Sequence, residues 1–206
     1  MKGFLTFLAC ILTICNTETS AQKKTYNDSI AVFRKHYKED FIKEARSPLK
    51  GKDTGFLRFY APNKEYRVQA TLLVVSENPD FDMETHNGKK QVYRSFGVAV
   101  FNLKGKEYRL NIYQNVSLMQ QEEHKNHLFL PFNDLTNYET TYAGGRYIDL
   151  SIADIQNGKI VIDFNKCYNP YCAFKEGYSC PIPPAENRLD VRIEAGEKVF
   201  GKKTIE

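Results

Sequence analysis

The chain has 206 residues, is 42% hydrophobic and 26% charged, and carries 13 Tyr and 14 Phe but no Trp. That length supports a domain with a true core, five Cys are too few for a disulfide-dense miniprotein, and the 13% aromatic content excludes a wholly disordered chain. A formal charge of +4 gives no reason to expect nucleic-acid binding.

Met1-Lys2 is a short basic start, Gly3 to Cys15 is apolar, and the segment then turns polar and small through Thr19-Ser20-Ala21. This is the layout of a secretory signal peptide, with cleavage expected after Ala21. The apolar run is shorter than the about 20 residues of a membrane span. A lipidated Cys fits poorly: Cys10 comes too early, and Ile14 before Cys15 is not small. The mature chain, residues 22–206, is expected in the periplasm or secreted, as one domain with no transmembrane segment. It keeps Cys167, Cys172 and Cys180, so an oxidising compartment allows at most one internal bridge.

Tyr26 to Arg46 reads as a helix, because Ile30, Phe33, Tyr37 and Phe41 recur on one face. Asn27 or Asp28 is the expected cap, and Ser47-Pro48 ends the helix. Gly51 to Gly55 reads as a loop, and Phe56 to Tyr60 as a short strand before Pro62. Tyr66 to Ser76 is a strand in which Val68, Ala70, Leu72 and Val74 alternate. Asn78 to Lys90, with Pro79 and Asn87-Gly88, is a loop or a long hairpin tip. Gln91 to Leu103 and Glu107 to Val116 are strands joined by a tight Lys104-Gly105 turn. Ser117 to Asn126 reads as a polar segment with a short helix. His127 to Phe132 is interrupted by Pro131 and reads as an edge strand. Arg146 to Ile155 and Lys159 to Phe164 flank Asn157-Gly158, a type I′ hairpin signal. Leu189 to Glu194 reads as the last strand. The expected fold is α+β and mainly β: an antiparallel sheet closed into a small barrel or sandwich, with an N-terminal helix packed on it.

The unusual residues collect between Leu130 and Ala185. If the Asn157-Gly158 hairpin stays in register, Ile152 opposes Asp163 and Leu150 opposes Asn165. Arg146, Ile148, Leu150, Ile152, Val161, Asp163 and Asn165 then share one face. A charge at the end of such a face needs a partner, and Asp163 or Glu186 is the expected one for Arg146. This places a polar pocket at the open end of the sheet, with Arg146 receiving an anionic or carbonyl group and Asp163 orienting it or acting as a base. The competing account is an arginine–carboxylate network that only pins the loop. Tyr138, Tyr142, Tyr147, Tyr168 and Tyr171 either line a ligand pocket or straddle core and solvent.

Several stretches carry a family resemblance: Leu130-Pro131-Phe132-Asn133-Asp134, Thr141 to Leu150, Asp163-Phe164-Asn165, Tyr168 to Phe174, Cys180-Pro181-Ile182-Pro183-Pro184, Glu186 to Leu189 and Ala195-Gly196-Glu197-Lys198. Together they resemble DUF1684, a family of bacterial proteins of unknown function. Weaker similarity runs upstream through Ser47 to Leu49, Phe59 to Pro62 and Tyr66 to Val68. The resemblance implies a shared site or a shared structural knot, and no activity comes with it. Cys167 and Phe174 depart from the family's usual residues, so Cys167 is a poor candidate for chemistry.

The candidate ligand-binding residues are Asp134, Tyr142, Arg146, Asp163, Asn165, Tyr168, Asn169, Glu186 and Asn187. A Cys172–Cys180 disulfide would close a small loop. The spacing of the three Cys is unlike a structural zinc site, and no His lies in the interval to activate a thiol. A Gly-x-Ser-x-Gly elbow and a phosphate loop are both missing. The expectation is a small polar or anionic ligand, bound or hydrolysed, with no cofactor indicated. The alternative is a non-enzymatic envelope protein whose signature loop is structural or meets another protein.

Overall fold

A computed structural model describes residues 24–202. The expected signal peptide therefore lies outside the described residues. Helix α1, Tyr26–Lys43, is capped by Thr25, not by Asn27 or Asp28. Asp28 instead completes the capping box from the third helical position, and its carboxylate accepts from the Thr25 backbone N–H at 2.8 Å. The helix stops three residues short of Arg46, at Glu44. Ile30 and Phe41 are buried, and Phe33 and Tyr37 lie between core and solvent.

Among the described residues seven strands form one antiparallel sheet. They are β1 Arg67–Val74, β2 Asp80–Glu84, β3 Lys90–Leu103, β4 Lys106–Asn115, β5 His127–Phe132, β6 Arg146–Ser151 and β7 Lys159–Asp163. The order is β6-β5-β4-β3-β1-β7, with β2 paired to the start of β3. Strand β2 occupies the segment expected as a loop, where its charged residues hide the alternation. In β3 the register shifts between Ser95 and Gly97, a bulge that bends the strand. Gly97 has no room for a side chain there, since a Cβ would sit 2.7 Å from the Leu73 carbonyl oxygen.

The sheet curls so that the aliphatic residues of alternate positions point inward. Leu72, Phe101, Leu110, Leu130, Ile148 and Ile162 represent the strands in this interior. Phe164, Leu189 and Ile193 close one end. The curl makes a half-barrel, because the edge strands β6 and β7 do not pair along their length. They are joined through Gln156 and Lys159, and beyond β7 the chain returns to bridge Tyr147 with Tyr168.

The Asn157-Gly158 turn has both residues at positive φ, +51° and +70°, as a type I′ turn requires. Gln156 faces Lys159, but the pairing goes no further. Ser151 and Asp154 form a capping box around a 3-10 turn, Ile152–Asp154, which turns β6 away. Strand β7 pairs β1 instead, with Asp163 opposite Arg67. The expected opposition of Ile152 to Asp163, and of Leu150 to Asn165, is therefore wrong.

Three other elements differ. Phe56 to Tyr60 supplies only an isolated bridge, Phe59 to Glu197. Leu189 to Glu194 runs as irregular chain held by loop contacts such as Leu189 N–H to Asn133 O, 2.8 Å. Strand β5 is interior rather than an edge. It pairs β4 only at Tyr113 and Phe129. Where Pro131 interrupts the ladder, the buried Asn187 amide stands in for a peptide: its Nδ2 donates to Asn111 O at 2.8 Å and Pro131 O at 2.7 Å, and its Oδ1 accepts from Asn111 N–H at 2.7 Å. No helix among the described residues is long and apolar enough to cross a membrane.

Candidate functional site

Arg146 opens β6 on the inward face, beside Ile148 and Leu150, and is fully buried. Its partner is Asp134, not Asp163 or Glu186: Nη2 donates to Asp134 Oδ2 at 2.6 Å. Nη2 also donates to Ile193 O at 2.8 Å, and Nη1 to Ala195 O at 2.6 Å. The other Asp134 oxygen accepts from Thr136 N–H at 2.8 Å and Ile193 N–H at 3.1 Å. Gly196, at φ +72°, lets the tail pass directly against Cys167. The guanidinium and carboxylate hold one another and the tail in a knot closed to solvent, in which Arg146 Nε has no partner among the described residues. Burial also pushes the Cys167 thiol up to about 11, so it stays protonated.

Asp163 and Asn165 do a different job elsewhere. Asp163 accepts from the Tyr26 hydroxyl at 2.9 Å and from Asn165 N–H at 3.1 Å. Asn165 exchanges two 2.8 Å bonds with the backbone of Asn63. Together they pin the start of α1 and the approach to β1. Glu186 is exposed and accepts from Tyr113 at 3.2 Å. Tyr142 packs near His86. Arg146, Asp163 and Asn165 thus do not converge on one pocket. Asp163 does border a polar cleft of about 450 Å³ at the open seam between β6 and β7, but Arg67, Lys159 and Lys166 there face Asp149, Asp154 and Asp163. That balance of charge selects no ligand.

Asn169 belongs to a second buried cluster. Its N–H donates to Glu197 Oε2 at 2.8 Å, and the Tyr37 hydroxyl donates to the same oxygen at 2.9 Å. Glu197 Oε1 and Asn169 Oδ1 are buried acceptors with no donor. Burial pushes the Glu197 carboxyl up to about 8, so it keeps its proton at neutral pH.

A larger cleft, about 550 Å³, opens on the outer side of the sheet. Helix α1 gives it Phe33, Tyr37 and Phe41, one stripe at spacings of four. The outer faces of β3, β5 and β6 give Tyr93, Phe129 and Tyr147. The chain after β7 gives Tyr168, Tyr171 and Tyr178. Neighbouring rings touch edge to face or tilted, as in Phe129–Tyr147 at 4.8 Å, Tyr147–Tyr168 at 5.9 Å and Tyr37–Tyr168 at 5.9 Å. At the rim Asp149 is held from two sides. Its Oδ1 lies 2.9 Å from His127 Nε2, and its Oδ2 accepts from the Tyr168 hydroxyl at 2.8 Å. Burial raises Tyr37, Tyr147 and Tyr168 well above the usual phenol range, so all three keep their protons.

The far wall is covalently fixed. Cys172 and Cys180 are joined, and the loop between them presents Tyr178 and Ser179 to the cleft. The Tyr178 hydroxyl donates to Arg46 O at 2.7 Å, tying the wall to the end of α1. The Tyr147 hydroxyl donates to Pro181 O.

Of the sequence candidates only Tyr168 lines this cleft, with Tyr147 and Tyr171 from the wider tyrosine set. His36, Asp40, His127 and Asp149 were missed. Asp149 carried one usable signal: it sits on the face of β6 opposite Arg146, where a charge next to Tyr147 is out of place on a buried strand. Among the described residues no three His, Cys, Asp or Glu side chains gather into a metal site.

Comparison with known proteins agrees with this architecture. The solution structure of an uncharacterised protein of Haloarcula marismortui is 30% identical, with a TM-score of 0.65, over 82% of this chain and 92% of that one. No curated protein matches. The family model described as protein of unknown function, DUF1684, matches residues 54–198, a span holding the Arg146 knot, the disulfide and the sheet side of the cleft. The chain belongs to the DUF1684 family.

Proposed function

We propose that this is an exported protein that binds a small molecule in the aromatic cleft between α1, the outer sheet face and the disulfide loop. The observation that carries the reading is the cleft itself. It is a concave, mostly apolar volume of ligand size with a few fixed polar groups at its rim, which is the usual make-up of a small-molecule site. The Cys172–Cys180 bond supports an oxidising compartment, in keeping with the secretory layout of residues 1–21. The Arg146 knot is the structural part of the family signature and holds the scaffold beside the cleft.

A thermal-shift screen tests this on wild type and on His36→Trp. His36 is an exposed helical residue at the cleft mouth, so Trp there narrows the entrance without disturbing the core. Compounds that raise the melting temperature of wild type and lose that effect in His36→Trp are the expected result. Ligands that stabilise both proteins equally would place the site elsewhere.

A further inference from the structure

The charge of the cleft lining is one-sided. Its formally charged side chains are Asp40 on the helix and Asp149 on the sheet, and among the described residues no Lys or Arg lines it. The rest is chiefly aromatic. An aromatic face carries negative potential, so stacked Tyr and Phe walls attract a cation, more strongly when it is desolvated. The tyrosine hydroxyls are already engaged: Tyr37 with Glu197, Tyr147 with Pro181, Tyr168 with Asp149, Tyr171 with Glu44 and Tyr178 with Arg46. What remains for a guest is ring surface, with carboxylate at two sides of the opening.

Accepting that the cleft binds a small molecule, we infer that its ligand is an organic cation, a tertiary or quaternary ammonium carried on a compact apolar body. The methyl-clad head suits the rings because it needs no hydrogen-bond acceptors. A primary ammonium would need up to three acceptors, and the ring walls do not supply them. An anion would meet two carboxylates with no Lys or Arg among the described lining residues to compensate. Asp149 is well placed to set the orientation, since His127 and Tyr168 each hold one of its oxygens while further lone-pair sites stay open. The expectation drawn from Arg146, an anionic ligand, is thereby reversed in sign.

Matched isosteres test the assignment. Choline and 3,3-dimethylbutan-1-ol have the same shape and differ in charge, and phenyltrimethylammonium supplies a larger cation. Calorimetric titration of the full mature chain should show choline bound at least about tenfold more tightly than the neutral isostere, the scale expected of a desolvated cation–π site. Asp149→Asn should cut cation affinity by about tenfold and leave the neutral compound unchanged, and Asp40→Asn, on an exposed helical turn, should do the same to a smaller extent. Both variants should keep the wild-type far-UV spectrum. If the neutral isostere binds as tightly as choline, or if both substitutions leave choline affinity unchanged, the charge assignment fails and the binding cleft survives. If neither cation nor isostere binds wild type at millimolar concentration and the His36→Trp screen is also blank, both readings fail.

Discussion

The Arg146 knot and the aromatic cleft are neighbours built on opposite faces of β6, and they treat polar groups in opposite ways. In the knot the charges are matched inside the protein: Asp134 and the tail carbonyls take the two terminal nitrogens of the guanidinium, only its Nε is left without a partner among the described residues, and solvent is excluded. In the cleft the rings are packed but the volume between them is open, with Asp40 and Asp149 at its rim. A polar cluster that is dense in sequence and sealed from solvent is a fastening. A site stays open to a guest.

The largest effect should come from cutting the fastening. Arg146→Met leaves Asp134 buried and unpaired, and breaking such a pair costs about 3–5 kcal/mol. Urea denaturation should show that loss, and adding Asp134→Leu should recover part of it. If Arg146→Met unfolds like wild type and instead abolishes ligand binding, the knot is the site and the comparison is reversed.

Next is the Glu197 cluster behind Tyr37. Its carboxyl titrates at about 8 in the folded protein against 4.5 ordinarily. Between these values the unfolded chain gives up a proton that the folded one keeps, so stability falls as pH rises through this window, by roughly 3 kcal/mol on order of magnitude. Stability curves from pH 5 to 8.5 should show the decline in wild type and a flatter line in Glu197→Gln.

The disulfide divides the two regions more finely. Replacing Cys172 and Cys180 with Ser releases a short loop, which costs about 2–3 kcal/mol by chain entropy. It should also weaken cleft ligands, because the loop is the far wall. Equal affinity in the reduced and oxidised proteins would show that the wall contributes nothing. Smallest of all, Tyr168→Phe removes the hydroxyl from Asp149 and keeps the ring. A stability loss of about 1 kcal/mol is expected, with cation affinity changed less than in Asp149→Asn.

Much of the fold is legible in short stretches of sequence. The apolar stripe of α1, the alternation of β1 and the Lys104-Gly105 and Asn157-Gly158 turns are local signals, and local physics decides them. Several of the errors arise where side chains replace or divert backbone pairing. Ser151 and Asp154 cap a 3-10 turn that redirects β6. Asn187 mends the ladder at Pro131, more than fifty positions away. Arg146 was correctly marked as a buried charge, but its partner was sought across a hairpin that does not pair. The cleft was least legible. Tyr168 and Tyr147 lie within the signature, whereas Phe33, His36 and Asp40 lie on a helix more than a hundred residues earlier, and only the folded chain brings them together.

The tail contacts of Arg146 also set an order of assembly. Its carbonyl partners are residues 193, 195 and 197, about fifty positions beyond the arginine. During synthesis from the N-terminus, the arginine and Asp134 are made long before the groups that complete their shell. The knot therefore closes only once residues 193–197 have been made, and until then the buried pair lacks its carbonyl partners.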